Sequence, residues 1–308
     1  MSIKSMLTRT LAASVAAVTL LSVGACGSSS ATNNGNATSS AASSDGRISV
    51  VASINQWGSV AKDLGGDLVD VTEIMTNTNV EAHEYEPTSQ DVAKFKDAAV
   101  TVVNGADYDP WASKAAESTK TTLVDAAATA GKQEGDNPHV WFSADVRTKT
   151  ADAITAAYEK ALPDQKSKFE DLNKAWKQKE SATESKIKEA SSKLQGLPYA
   201  ATESVAWYLA DDLGMKDATP SGYAQASANE SEPSPSDIKE YTDTLAGGSI
   251  KLLVFNTQEA DSTTNQITDA AKAANVPIVE LTEQMPSQYS DLTDWMDALV
   301  DQFADAVK

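Results

Sequence analysis

Residues 165–194, QKSKFEDLNKAWKQKESATESKIKEASSKL, decide the fold. Phe169, Leu172, Trp176, Thr183, Ile187, Ala190 and Leu194 recur at spacings near the helical period, giving one narrow apolar stripe and a wide charged face. The spacing predicts one long helix behind Pro163, itself preceded by a helix over 144–160. A coiled coil is the rival reading, but the stripe is too weak and too short for sustained heptads. A helix lying along the flank of two domains fits better.

On both sides of this helix the pattern is α/β. Toward the N-terminus, 47–53 (RISVVAS) reads as a buried strand, 56–64 as a short helix stopped by Gly65 and Gly66, and 69–75 as a second strand. Thr88-Ser89-Gln90-Asp91 fits a capping box that opens a helix to about Phe95, and strands follow at 99–104 (AVTVVN) and 122–125. Toward the C-terminus, 198–202 reads as a strand and 203–213 as a helix. Ser234-Pro235-Ser236-Asp237 caps a helix that ends at Gly247-Gly248. Strands at 251–256 (KLLVFN) and 276–281 (VPIVEL) flank a further helix, and 292–307 closes the chain as an amphipathic helix. The expected fold is therefore α/β: two α/β lobes, each with a mainly parallel sheet, bridged by one long helix. Residues 47–143 form the N-terminal lobe, 144–195 the bridging helical segment and 196–308 the C-terminal lobe.

The first 46 residues stand outside that fold. Lys4 and Arg9 precede an apolar run over 11–23 that is too short to span a bilayer, and small residues lead to Cys26. This is a secretory signal over residues 1–25. Val23-Gly24-Ala25-Cys26 resembles a bacterial lipobox, in which the cysteine becomes the lipidated first residue; no second cysteine exists to make Cys26 a disulfide partner. Residues 26–46 are almost wholly Ser, Ala, Asn, Thr and Gly and read as a disordered tether, with a coil span of roughly 25 Å. The expected location is extracytoplasmic, lipid-anchored to the outer face of the cell membrane.

Removing Lys4 and Arg9 with the signal leaves 23 basic against 44 acidic residues, a net charge near −21. That balance argues against nucleic acid, whose phosphates need Lys and Arg. It suits a solvated secreted surface and weakly favours attracting cations.

Histidine occurs twice. His83 sits in Glu81-Ala82-His83-Glu84-Tyr85-Glu86-Pro87-Thr88, between the second strand and the capped helix. His139 sits in Asp136-Asn137-Pro138-His139-Val140-Trp141, behind a proline that favours extended backbone before it. A lone loop histidine is most often surface decoration. Two of them, both in loops marked by proline and aromatic residues, point toward a site.

These motifs, together with Asn104-Gly105, Asp107-Tyr108 and Ala52-Ser53-Ile54-Asn55-Gln56-Trp57, resemble the extracytoplasmic transition-metal-binding lipoproteins of bacterial ABC importers, the manganese and zinc solute-binding proteins. The resemblance covers about residues 47–308 and is looser in the C-terminal lobe. It implies two lobes joined by a rigid helix, with one metal ion in the cleft between them. It further implies four ligands: His83 and His139 from the first lobe, Glu203 in Ala200-Ala201-Thr202-Glu203-Ser204, and Glu283 after the last strand, where Asp is the commoner residue. Glu280 and Asp261 compete for the fourth place, and Glu84 and Glu86 are supporting or surface groups. As the simpler alternative, Glu203 is an acid in the first turn of a helix.

Physical chemistry favours the same set, because ligands of open α/β lobes gather beyond the carboxyl ends of strands. Two imidazoles and two carboxylates suit manganese, iron or zinc. Residues 105–136 hold no histidine, whereas many zinc members carry a His-rich loop there; manganese (Mn2+) is favoured as cargo, with zinc (Zn2+) next. The expected function is a binding module, not an enzyme. It captures the ion and delivers it to an ABC permease, as a monomer held to the membrane through Cys26. A secreted metal-dependent hydrolase using the same groups, or a surface adhesin of the same fold, is the alternative. The chain shows neither an H-E-x-x-H helix nor a G-x-S-x-G turn.

Overall fold

The computed structural model describes residues 46–79 and 85–307, and all that follows concerns those residues. Two sheets organise them. In the first, β1 (Ile48–Ile54), β2 (Val69–Met75), β3 (Val100–Val103) and β4 (Thr122–Asp125) lie in the order β2-β1-β3-β4. In the second, β5 (Pro198–Ala201), β6 (Lys216–Asp217), β7 (Leu252–Asn256) and β8 (Ile278–Leu281) lie in the order β6-β5-β7-β8. Every pairing is parallel. In β1 all residues but Ser49 are buried, as a strand covered on both faces requires.

The first sheet is served by helices α1 (Asn55–Gly65), α2 (Ser89–Lys96), α3 (Pro110–Glu117) and α4 (Ala126–Thr129). The expected capping box opens α2: the Thr88 hydroxyl accepts from the Asp91 amide, and the Asp91 carboxylate accepts from the Thr88 amide. Next come α5 (Ala144–Ala161) and α6 (Lys166–Leu194). Around the second sheet lie α7 (Trp207–Asp212), α8 (Ser221–Ala228), α9 (Pro235–Ala246), α10 (Ser262–Ala273) and α11 (Leu292–Ala306). None of the described helices is long and apolar enough to cross a membrane.

The 29 residues of α6 make a rod of about 43 Å. Its buried positions are Phe169, Asn173, Trp176, Glu180, Thr183, Ile187, Ala190 and Leu194, in alternating steps of four and three. Leu172, expected in the stripe, is only half-buried, and two polar residues, Asn173 and Glu180, take seam positions instead. Each finds a partner there: Asn173 Nδ2 donates to Asp152 Oδ1 at 2.8 Å, and Glu180 receives Arg147. The helix packs against α1, α5 and α11. Lys179 reaches both lobes, pairing with Asp63 of α1 and with Asp291, the cap of α11.

The helix expected from residue 203 starts only at Trp207. Thr202 is still tied to the sheet, since its amide donates to Val254 O and its hydroxyl accepts from the Asn256 amide, so residues 202–206 turn sharply instead of coiling. The two-residue strand β6 and helices α3, α4 and α8 were not expected from the sequence. All four are short, and α3, α4 and α8 are rich in alanine, which leaves little apolar periodicity to read.

Candidate metal centre

The polar groups of the centre stand where strands run out. Glu203 lies two residues past β5 and Glu283 two past β8; Asn256 is the last residue of β7, and Asn104 is the first after β3. The carboxyl ends of both sheets thus face one place, the usual position for ligands in open α/β structures. His139 enters from the loop before the 3-10 turn Val140–Phe142.

These elements bring three donors together. His139 Nε2 lies 3.3 Å from Glu203 Oε1 and 3.6 Å from Glu283 Oε2. One donor atom from each of the three residues falls within 4.8 Å of the others. The side chains are only 2%, 7% and 0% exposed, which is rare for two carboxylates unless a cation or hydrogen bonds compensate them. Glu280 is exposed on β8, and Asp261 is exposed and caps α10, so neither stands in this buried group. Because α7 begins at Trp207, Glu203 is not an acid of its first turn.

The imidazole is oriented from behind. Its Nδ1 lies 2.9 Å from Asn137 Oδ1, while the Asn137 amide nitrogen donates to Ser204 O at 2.8 Å and Ser204 Oγ at 3.0 Å. That network makes Asn137 Oδ1 the acceptor, so Nδ1 carries the hydrogen and Nε2 is directed at the carboxylates. The loop is held in turn by Asn104, which donates to Pro138 O at 2.8 Å and accepts from Trp57 Nε1 at 3.0 Å. Burial on its own would push His139 down, but hydrogen bonding and charge from Glu203 and Glu283 overcome it and hold the imidazolium up at about 9.

Further neighbours, to which the sequence reading gave no role, finish the surroundings. Tyr108 donates to Glu283 Oε2 at 2.8 Å and accepts from Gln284 Nε2 at 2.9 Å; burial first, then the Glu283 charge, keeps its phenol protonated far above its ordinary range. Asn256 Nδ2 donates to Glu203 Oε2 at 2.6 Å and to Glu283 Oε1 at 3.2 Å. A tight turn delivers Tyr108: Gly105 has φ +77, and a Cβ there would fall 2.1 Å from Asp125 Oδ1, so a side chain would be strained and would displace that carboxylate. Asp109 completes the turn by accepting from the amides of Asn104 and Gly105 at 2.7 and 2.9 Å; its burial pushes the carboxyl up and those bonds partly offset this. For Tyr108 and Asn256 a signal existed: Asn256 is a polar group at a strand end, and Tyr108 stands in one of the motifs that carry the family resemblance.

A cavity of about 330 Å³ opens onto His139 and Glu203, with Asp107, Asp136, Glu230 and Glu259 on its walls. Its acidic walls make it an approach for cations. Two expected site residues, His83 and Cys26, lie outside the described residues.

Residues 50–306 match the family described as ZnuA, zinc-uptake complex component A, periplasmic. The zinc-binding lipoprotein AdcA of Streptococcus pneumoniae is 25% identical over 264 residues, which take in 78% of this chain and 52% of that protein, so the chain spans about half its length. The manganese-binding lipoprotein MntA of Bacillus subtilis is 27% identical over 250 residues, 75% of this chain and 78% of MntA. The periplasmic zinc binding protein TroA of Treponema pallidum superposes with a TM-score of 0.73 at 18% identity, over 85% of this chain and 99% of its own, a likeness of fold.

Proposed function

Since the chain belongs to the family of the periplasmic component A of zinc-uptake complexes, we propose that it captures a divalent transition metal, manganese or zinc, outside the cytoplasm and hands it to an ABC permease. The observation that carries this is the buried group of His139, Glu203 and Glu283 at the meeting of two sheets. His139, Glu203 and Glu283 are proposed as three ligands and His83 as the fourth. Two imidazoles and two carboxylates give a donor set of charge −2, which one dication neutralises. The names of AdcA and MntA, a zinc-binding and a manganese-binding lipoprotein, support the same cargo. The word lipoprotein in both names also supports lipidation at Cys26; residues 26–46 are proposed as the tether and the folded part as a monomer beside the membrane.

The protein binds and releases; no bond is made or broken in the cargo. A secreted hydrolase would need a water held on the ion beside a general base. Here the carboxylate oxygens nearest His139 face the imidazole itself, and the family is one of uptake components.

Elemental analysis of protein purified without added metal or chelator, followed by calorimetric titration, tests the reading. It expects close to one equivalent of manganese or zinc per chain and near-complete loss of binding in His139→Ala. A wild-type chain that takes up neither ion would overturn it.

A further inference from the structure

The amide of Asn256 stands between the two carboxylates. Its Nδ2 donates to Glu203 Oε2 at 2.6 Å and to Glu283 Oε1 at 3.2 Å. Its Oδ1 accepts from the Gln258 amide at 3.0 Å, which fixes which end of the group faces the acids. Reversing it would set a carbonyl oxygen against two carboxylates and abandon the bond to Gln258. The residue is 1% exposed, so no bulk water competes for those bonds. The remaining oxygens, Glu203 Oε1 and Glu283 Oε2, are the ones that face His139 Nε2. On Glu283 Oε2 one further lone-pair direction is taken by the Tyr108 hydroxyl at 2.8 Å, and the Gln284 amide at 2.9 Å turns that hydroxyl's own hydrogen toward the acid.

Resting on the metal-capture reading above, we propose that Asn256 sets how many oxygens each glutamate offers the ion, one and not two, and thereby favours four-coordinate zinc over manganese. A carboxylate that chelates through both oxygens must turn both toward the ion. With Oε2 of Glu203 and Oε1 of Glu283 both held by one nitrogen, neither acid turns without losing a buried, charge-assisted bond. Two imidazoles and two single oxygens make the tetrahedral set that zinc accepts. Manganese prefers a fuller, oxygen-rich shell and is penalised when two of the available oxygens are withheld. Asn256 acts as a positioning residue: it shapes the site through Glu203 and Glu283 without touching the ion.

Zinc binds tighter than manganese to most donor sets, so the informative quantity is the change in the ratio of the two dissociation constants. That ratio is measured by competition against a chromophoric chelator, for the wild-type chain and for Asn256→Ala, with circular dichroism as the check on folding. The expected result is a manganese-to-zinc ratio at least tenfold smaller in the variant, because both glutamates gain a second oxygen to offer. A merely structural role would weaken both ions alike and leave the ratio in place, and a ratio within twofold of wild type overturns the proposal. Zinc-edge X-ray absorption on the wild-type chain needs no variant. Four nitrogen and oxygen donors at about 2.0–2.1 Å support the proposal. Five or six donors, with a carboxylate bound through both oxygens, overturn it. A wild-type chain that binds neither ion sinks the capture reading itself, and this inference with it.

Discussion

The Arg147 guanidinium grips the Glu180 carboxylate through two nitrogens, Nε at 3.0 Å from both oxygens and Nη2 at 2.6 Å from Oε1, in a contact closed to solvent. The pair locks α5 to α6. The third nitrogen, Nη1, donates to Trp141 O at 3.0 Å, two residues from His139. Removing one partner strands a buried charge, which costs about 3–5 kcal/mol. Glu180→Ala is expected to destabilise the fold by that amount in urea unfolding. Arg147→Met with Glu180→Leu, which removes both charges, is expected to recover most of it.

Asn137 is expected to matter through His139. Its Oδ1 fixes which imidazole nitrogen faces the carboxylates. Losing such a support typically weakens metal binding about 10–100-fold. Asn137→Ala should fall in that range by calorimetric titration, with His139→Ala well beyond it.

A proton stands where the ion would bind. With the imidazolium held up at about 9, His139 is charged at pH 7 in the ion-free protein, and a ligand nitrogen must lose its proton. Zinc uptake at pH 7 is expected to release close to one proton from this residue, read from titrations in buffers of differing ionisation heat. Affinity should rise with pH and level off above about 9. The stability effect has the opposite sign. A pKa raised in the folded state adds stability that is complete below about 6.5, the unfolded value, and is lost as pH climbs through about 9. The ion-free fold should therefore melt lower at pH 9 than at pH 6.

Asn55 and Met285 exchange two bonds between the lobes, Asn55 Nδ2 to Met285 O at 2.7 Å and Met285 N to Asn55 Oδ1 at 3.0 Å. Asn55→Ala leaves both backbone groups without these partners. Each such loss costs about 1–3 kcal/mol. Hydrogen exchange is expected to show the Met285 amide protected in wild type and fast in the variant.

Much of this fold was readable along the chain. The apolar strands, the caps at Thr88 and Ser234 and the long helix each rest on residues within one turn or one strand of each other. Glu203 and Glu283 came from the family resemblance, and their place just past a strand end, a local feature, supported them. The bonds that Tyr108 and Asn256 make to them were not legible, since they span 175 and 53 or 27 positions of sequence, and only folding brings them together. The same holds for Asn173 and Glu180. A polar residue in a seam looks like a surface residue until its partner, Asp152 or Arg147, comes from another helix.

The backbone that carries Glu283 is gripped by the opposite lobe. Gln56 Nε2 donates to Glu283 O at 2.6 Å; Ser59 Oγ donates to Ser290 O at 3.2 Å and accepts from the Leu292 amide at 3.0 Å; Asn55 adds its two bonds. All three side chains project from a single helix, α1. Opening the cleft like a clamshell would tear that whole row at once. If the protein carries an ion as proposed, unloading by a small shift of one donor is the cheaper path, and the receiving partner needs only to disturb the coordination, leaving the casing shut.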